Sequence, residues 1–214
     1  NLEEVGVTVQ NGQQADIVLA DGSKVYINYA SEITYDNNYN REKRIVSLDG
    51  EAYFEVAQEA DKPFIVKANG INVVVFGTSF NVRAYENDNT VAVVLIEGKV
   101  RVHDFNEEKL LNPNERLEYH LLTKSFGDVE ELHPNTGYLL WRNREISFYG
   151  ESLEEICRML TRMYNYDFVF EQEELKYLTY TGLIKNSSLE NVLDYISQTA
   201  SISYTIKPDN TIVI

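Results

Sequence analysis

The stretch that most limits the fold runs from Arg44 to Val56, Arg-Ile-Val-Ser-Leu-Asp-Gly-Glu-Ala-Tyr-Phe-Glu-Val. Asp49-Gly50 divides two short apolar runs, and Asp-Gly is a strong hairpin signal because glycine adopts positive φ without a Cβ penalty. Beyond it the side chains alternate, with Ala52, Phe54 and Val56 on one face and Glu51, Tyr53 and Glu55 on the other. A period of two describes a strand with one buried and one wet face. The same grammar extends from Val5 to about Val129. Strands are expected at 5–9, 15–20, 24–27, 32–35, 44–48, 52–58, 63–67, 71–76, 79–85, 91–96, 99–103, 115–119 and 125–129. Turn signals such as Asn11-Gly12, Asp21-Gly22, Asn69-Gly70, Glu97-Gly98 and Asn112-Pro113-Asn114 separate them. Many short strands punctuated in this way read as a sandwich, barrel or solenoid. Val91–Ile96 is apolar on both faces and is expected to be a central strand, with Val73–Phe76 as its companion.

At His133-Pro134-Asn135-Thr136-Gly137 the periodicity stops, which places an all-β domain at 1–132, a linker at 133–144 and a second domain at 145–214. The second domain reads as α+β. Ser152-Leu153-Glu154-Glu155 forms a capping box, followed by Leu153, Ile156, Cys157 and Leu160 at helical spacing, with Arg158 and Arg162 outside. A second box, Ser187-Ser188-Leu189-Glu190, opens a helix with Leu189, Val192, Leu193 and Ile196 on its apolar stripe. The two segments repeat 36 residues apart. Strand 146–149 overlays 182–185 and strand 167–170 overlays 203–206, so the domain is a β-α-β unit used twice, plus a last strand at 211–214.

Charge and residue types exclude several functions. The net charge is −15, with 23 acids against 14 bases up to Arg144 and 11 against 5 beyond it. Neither part carries a basic footprint for nucleic acid or for an anionic membrane surface. One cysteine rules out an internal disulfide framework and a cysteine-based zinc site. No run approaches the ~18 apolar residues of a membrane span. The chain begins at Asn1 rather than Met, so an upstream segment is expected, and any anchor belongs there.

No residue set makes an active site. Glu51 and Glu55 lie roughly 13 Å apart along a strand, too far for the carboxylate pair of a glycosidase. His103, His120 and His133 lack ligand spacing, so no metal and no cofactor is expected. Gly77-Thr78-Ser79-Phe80 lacks the second glycine of a nucleophile elbow and reads as a turn. Cys157 falls on an apolar stripe and reads as a buried, inert thiol, and Trp141 as a packing residue. Binding suits the second domain better, because a small sheet has free edges that can pair with a partner strand. The candidate partner-binding residues are Thr179, Tyr180, Thr181 and Leu183 along one strand and Thr211 and Val213 along the last. The competing reading is a carbohydrate-binding β domain that uses Tyr26, Tyr29, Tyr35, Tyr39 and Tyr53.

Four phrases add a resemblance: Leu19-Ala20-Asp21-Gly22-Ser23-Lys24-Val25, Gly50-Glu51-Ala52-Tyr53-Phe54-Glu55-Val56, Phe76-Gly77-Thr78-Ser79-Phe80-Asn81-Val82 and Leu95-Ile96-Glu97-Gly98-Lys99-Val100. In order and spacing they resemble the FecR family of membrane-spanning, anti-sigma regulators. Glu145 to Ile214 is similar to the small C-terminal domain of Bacteroidetes members, with Phe148, Leu153, Leu160, Tyr164, Tyr180-Thr181-Gly182, Leu189 and Leu193 in the expected places. Its fold is similar to the short N-terminal module of secretins and TonB-dependent transducers. The resemblance implies a periplasmic region tethered to the inner membrane by a segment outside this chain, and no enzymatic activity. It implies a partner in the signalling module of an outer-membrane TonB-dependent transducer loaded with iron chelate or glycan. It also implies an extracytoplasmic-function sigma factor, bound through a cytoplasmic segment that this chain lacks.

Overall fold

The structure is a computed structural model that describes residues 4–132, 137, 139–185, 188–200 and 202–214. The chain divides into two compact units, Asn1–Gln10 with Gln14–His133, and Asn11–Gln13 with Pro134–Ile214.

The first unit is all strand: β1 (Glu4–Val9), β2 (Ala15–Val18), β3 (Lys24–Ile27), β4 (Ser31–Asp36), β5 (Arg44–Glu55), β6 (Phe64–Ala68), β7 (Ile71–Val75), β8 (Ser79–Ala84), β9 (Thr90–Glu97), β10 (Val100–His103), β11 (Glu108–Leu111), β12 (Glu115–His120), β13 (Ser125–Phe126) and β14 (Glu130–Glu131). They form one large sheet that curls on itself. The curl is made by β5, which serves two ladders in succession. Its first half lies between β4 and β6, the latter parallel to it, and its second half between β3 and β8. The expected hairpin at Asp49-Gly50 is therefore not formed. The dipeptide sits inside a single 12-residue strand, and its glycine bends that strand from one ladder into the other. Gly50 has φ +115, and a Cβ there would lie 2.2 Å from the Ser31 hydroxyl. Ser31 Oγ instead accepts the Glu51 N–H at 2.9 Å and donates to the Tyr29 carbonyl at 3.0 Å. The turn signal identified a real need for positive φ but not its use.

Alternation places the core inside the curl. Val46, Leu48, Ala52 and Phe54 of β5 pack with Val25, Ile33, Val66, Val82 and Leu95. Phe54 stacks on Phe80 at 5.0 Å and meets Phe64 edge-on at 5.8 Å, joining the two ladders through aromatic contact. β9 is a central strand between β8 and β12, whereas Val73–Val75 belong to β7, which pairs with β6 and β10 rather than with β9. β11 carries Glu-Lys-Leu-Leu with little alternation, and strand reasoning missed it.

The second unit contains β15 (Glu145–Ser152), α1 (Leu153–Tyr164), β16 (Asp167–Val169), β17 (Thr179–Lys185), α2 (Leu189–Ala200), β18 (Thr205–Ile206) and β19 (Thr211–Val213). A 3-10 turn, Leu140–Asn143, precedes β15. α1 and α2 start and end 36 residues apart, as the repeat requires. Ser152 caps α1, its hydroxyl accepting the Glu155 N–H at 3.3 Å while Glu155 takes the Ser152 N–H at 2.9 Å. Asn165, with φ 60, closes the helix. At α2 the capping hydroxyl is that of Ser188, which accepts the Asn191 N–H at 3.3 Å. Ser187, where the second box was expected to start, lies outside the described residues. Both apolar stripes are buried, and Cys157 with them. Arg162, expected outside, is also buried, at 6% exposure. The two copies pair through β15 and β17, antiparallel. β16 and β18 do not pair with each other but flank β19, one parallel and one antiparallel.

Candidate partner-docking face

β17 pairs with β15 and with no other strand among the described residues, so one edge of its backbone ladder is open. Its pattern is Thr179 out, Tyr180 in, Thr181 out, Gly182 in, Leu183 out, Ile184 in. Opposite Leu183 stands Ser147, and opposite Thr181 stands Tyr149. Tyr149 and Leu183 are thus diagonal neighbours on the wet face, each about half exposed. Gly150, at φ +77, forms a bulge in β15 and donates its N–H to Thr181 Oγ1 at 3.1 Å, which fixes that side chain beside the edge. On the inner face, Gly182 lies under Tyr195 of α2, whose hydroxyl would be 2.7 Å from a Cβ at that position. The Tyr-Thr-Gly sequence is thereby explained locally: an inward anchor, an outward hydroxyl, and a glycine that lets a helix approach.

Not every predicted contact residue belongs to this face. Tyr180 is buried, and burial next to Cys157 pushes its phenol up, so only its backbone is available to a partner strand. Thr211 and Val213 lie on β19, the middle strand of its sheet, with β16 on one side and β18 on the other. The expectation that this last strand is a free edge is therefore corrected: its ladder is occupied on both sides. A short apolar strand carries no local mark of whether it will be central.

The residues that the sequence offered as other candidates are engaged in structure. Glu51 accepts the Asn28 and Asn81 side-chain amides, both at 2.9 Å, and is committed to structure. Cys157 in the second unit is buried, and burial raises its pKa well above that of a free thiol. No three His, Cys, Asp or Glu side chains among the described residues are grouped to hold a metal ion. The five tyrosines are tied into the unit to different degrees. Tyr29 and Tyr53 are buried, Tyr26 packs on Tyr53 at 5.8 Å, and Tyr35 and Tyr39 pack on each other at 5.4 Å.

What sequence reasoning missed is a buried ion pair. Arg44 is fully buried and donates to the Asp21 carboxylate at 3.0 Å, to the Ala57 carbonyl at 2.8 Å and to the Lys62 carbonyl at 2.7 and 3.0 Å. Ser23 donates its hydroxyl to Asp21 at 2.6 Å and accepts the Ala57 N–H at 3.0 Å. Burial would raise the Asp21 pKa, but hydrogen bonds from Ser23 and Arg44 outweigh it and hold the carboxyl below its ordinary value. A signal was present, since Arg44 is in phase with Val46 and Leu48 on the core face.

A second junction lies nearby in the chain. The Thr78 hydroxyl donates to the Lys99 carbonyl at 3.1 Å, and the Val56 N–H donates to the Thr78 carbonyl at 3.0 Å. Gly98 leaves no room for a Cβ beside Thr78, nor Gly77 beside Gln58.

The comparisons with known proteins follow these same regions. The family model described as FecR protein matches residues 6–101, and the model described as FecR, C-terminal matches 145–214. Together they cover most of the chain. It belongs to the FecR family. Two crystal structures of a candidate anti-sigma factor from Parabacteroides distasonis ATCC 8503, at 2.50 and 1.65 Å resolution, are similar along nearly the whole length. The first has a TM-score of 0.91 at 29% identity, covering 99% of this chain and 98% of that one. The second has a TM-score of 0.90 at 29% identity, covering 98% and 97%. No curated protein matches. The FecR family is one of anti-sigma factors, regulatory rather than catalytic. In this FecR chain several residues of the family phrases hold the sheet: Asp21 and Ser23 serve the buried ion pair, and Gly77, Thr78 and Gly98 the second junction. Among the described residues no helix is long and apolar enough to cross a membrane.

Proposed function

We propose that this FecR chain is the periplasmic, signal-receiving part of a regulator anchored in the inner membrane. In this reading its 145–214 domain docks the signalling module of an outer-membrane TonB-dependent transducer. The 1–132 domain and the 133–144 linker carry that module, and contact with an extracytoplasmic-function sigma factor is made by a segment outside this chain.

One observation carries the docking role: β17 offers an open ladder edge directly beside an uncharged face of Ser147, Tyr149, Thr181 and Leu183. An edge of this kind binds an extended segment by main-chain hydrogen bonds, while alternate side chains select the partner. The chemistry required is association alone. Thr179, Thr181 and Leu183 would line the partner strand, with Tyr180 contributing backbone only. Thr211 and Val213 would take part only from the outer face of their sheet.

The test is Thr181→Pro, which removes a backbone donor from β17. Titration calorimetry against the periplasmic module of the transducer is expected to show at least tenfold weaker binding, with circular dichroism confirming that both helices persist. Unchanged affinity in a folded variant would remove β17 from the interface.

A further inference from the structure

A different strand shows the features of a part built to come away. Among the described residues, β1 is bonded to the sheet through β4 alone. Of its six residues only Val9 is buried and Val7 half-buried; Glu4, Val5, Gly6 and Thr8 face solvent. Gly6, near its middle, gives the ladder no side chain and lowers strand preference. The one side-chain hydrogen bond described along it, from Thr8 Oγ1 to Glu32 Oε1 at 3.0 Å, is exposed. The ladder is also non-local: Val9 pairs with Ser31 and Glu4 with Asp36, so no tight turn keeps β1 next to its partner. The edge strands β2 and β11, by contrast, are each tied to a sequence neighbour in a hairpin. β4 itself is secured from its other side by β5, and its Ser31 and Ile33 are buried.

We infer that β1 is a releasable strand, which leaves the sheet as a unit while the rest of the curl stays folded and thereby uncovers the β4 edge, Ser31–Asp36. Few buried apolar contacts and an exposed ladder are the physical marks of a segment that opens locally at low free energy. Once released, Glu4–Val9 is an unpaired segment of about 20 Å when extended. β4 is then left with N–H and C=O groups unpaired along that side, with Ile33 opposite the place Val7 has left. This edge exists only in the open state, and it is independent of the docking role assigned to β17.

Amide hydrogen exchange on the 214-residue chain tests the inference. The amides of β1 are expected to be ~100-fold or more less protected than those of β9, because they exchange by local rather than global opening. Two variants move the opening in opposite directions. Gly6→Val is sterically admitted, since a Cβ there meets Glu32 and Thr34 at an ordinary 3.6 Å. It is expected to raise β1 protection about fivefold, the span of strand preference between such residues. Thr8→Ala removes the bond to Glu32 and is expected to lower it by about twofold to fivefold. Neither is expected to change β9. Equal protection of β1 and β9 overturns the inference, as does a response to Gly6→Val that is absent from β1 or shared equally by both strands.

Discussion

In the curled sheet, the large apolar side chains left in water, Val18, Phe105, Leu110 and Leu122 among them, are scattered over separate strands and turns. In the smaller unit, Tyr149 and Leu183 stand together on adjacent strands of a two-stranded sheet. The polar residues differ too. The first unit draws Arg44, Asp21, Asn28 and Asn81 into buried, hydrogen-bonded networks, while the second relies on helix caps and two thin sheets. The first unit uses its polar chemistry to hold one closed arrangement, and the second leaves backbone and apolar surface unspent.

This contrast can be broken or sharpened experimentally. The largest effect is expected from Arg44→Met, which strands the Asp21 carboxylate in the interior and should cost about 3–5 kcal/mol. The loss should appear in the unfolding of the curled sheet, while the fluorescence of Trp141, the single tryptophan, reports the second unit unchanged. Coincident shifts in urea titrations followed by both signals would show that the units do not unfold separately. Gly182→Val places a side chain against Tyr195 and should cost about 1–3 kcal/mol by overpacking, now in the tryptophan signal alone. Ser152→Ala removes the α1 cap and should cost ~1 kcal/mol in that same signal.

The smallest difference is one of pH. The Asp21 pKa is lowered on folding, so its stabilisation is present above the unfolded value of 3.8 and is lost as pH falls through the still lower folded one. The Tyr204 hydroxyl donates to Asp194 at 2.7 Å, and this bond, with burial, pushes its pKa up to about 12 from 10.0. Its contribution is full below pH 10 and is lost as pH rises toward 12. Asp21→Asn should therefore blunt the acid sensitivity of the first unit, and Tyr204→Phe the alkaline sensitivity of the second, in melting curves across pH. An Asp21→Asn profile parallel to that of the parent would mean that the ion pair does not govern the acid limb.

How far residues could be read without coordinates depended on the range of the forces involved. The helix caps, the apolar stripes and the 36-residue repeat are local, and Leu153, Cys157 and Ile196 lie where periodicity puts them. Gly50 shows the limit of local reading, because its conformational need was evident while the choice between a hairpin and a bend was made by Ser31, nineteen positions earlier. The rank of β19 within its sheet is set by β16 and β18, and nothing in Thr-Ile-Val encodes it. From the sequence, Thr181 and Leu183 stand with Tyr180 as contact residues without a facing, and both Tyr180's inward turn and the part Tyr149 plays beside them follow only from the pairing and packing.

The double membership of β5 has a consequence for how this domain tolerates change in length. A residue inserted between Gly50 and Phe54 would reverse the facing of every later side chain in that strand while leaving Val46 and Leu48 in place. Half of the interior would then be turned outward against an intact other half. The span of β5 is thus a fixed ruler for this domain, and the connection after it is tied in too, through the Ala57 and Lys62 carbonyls that hold Arg44.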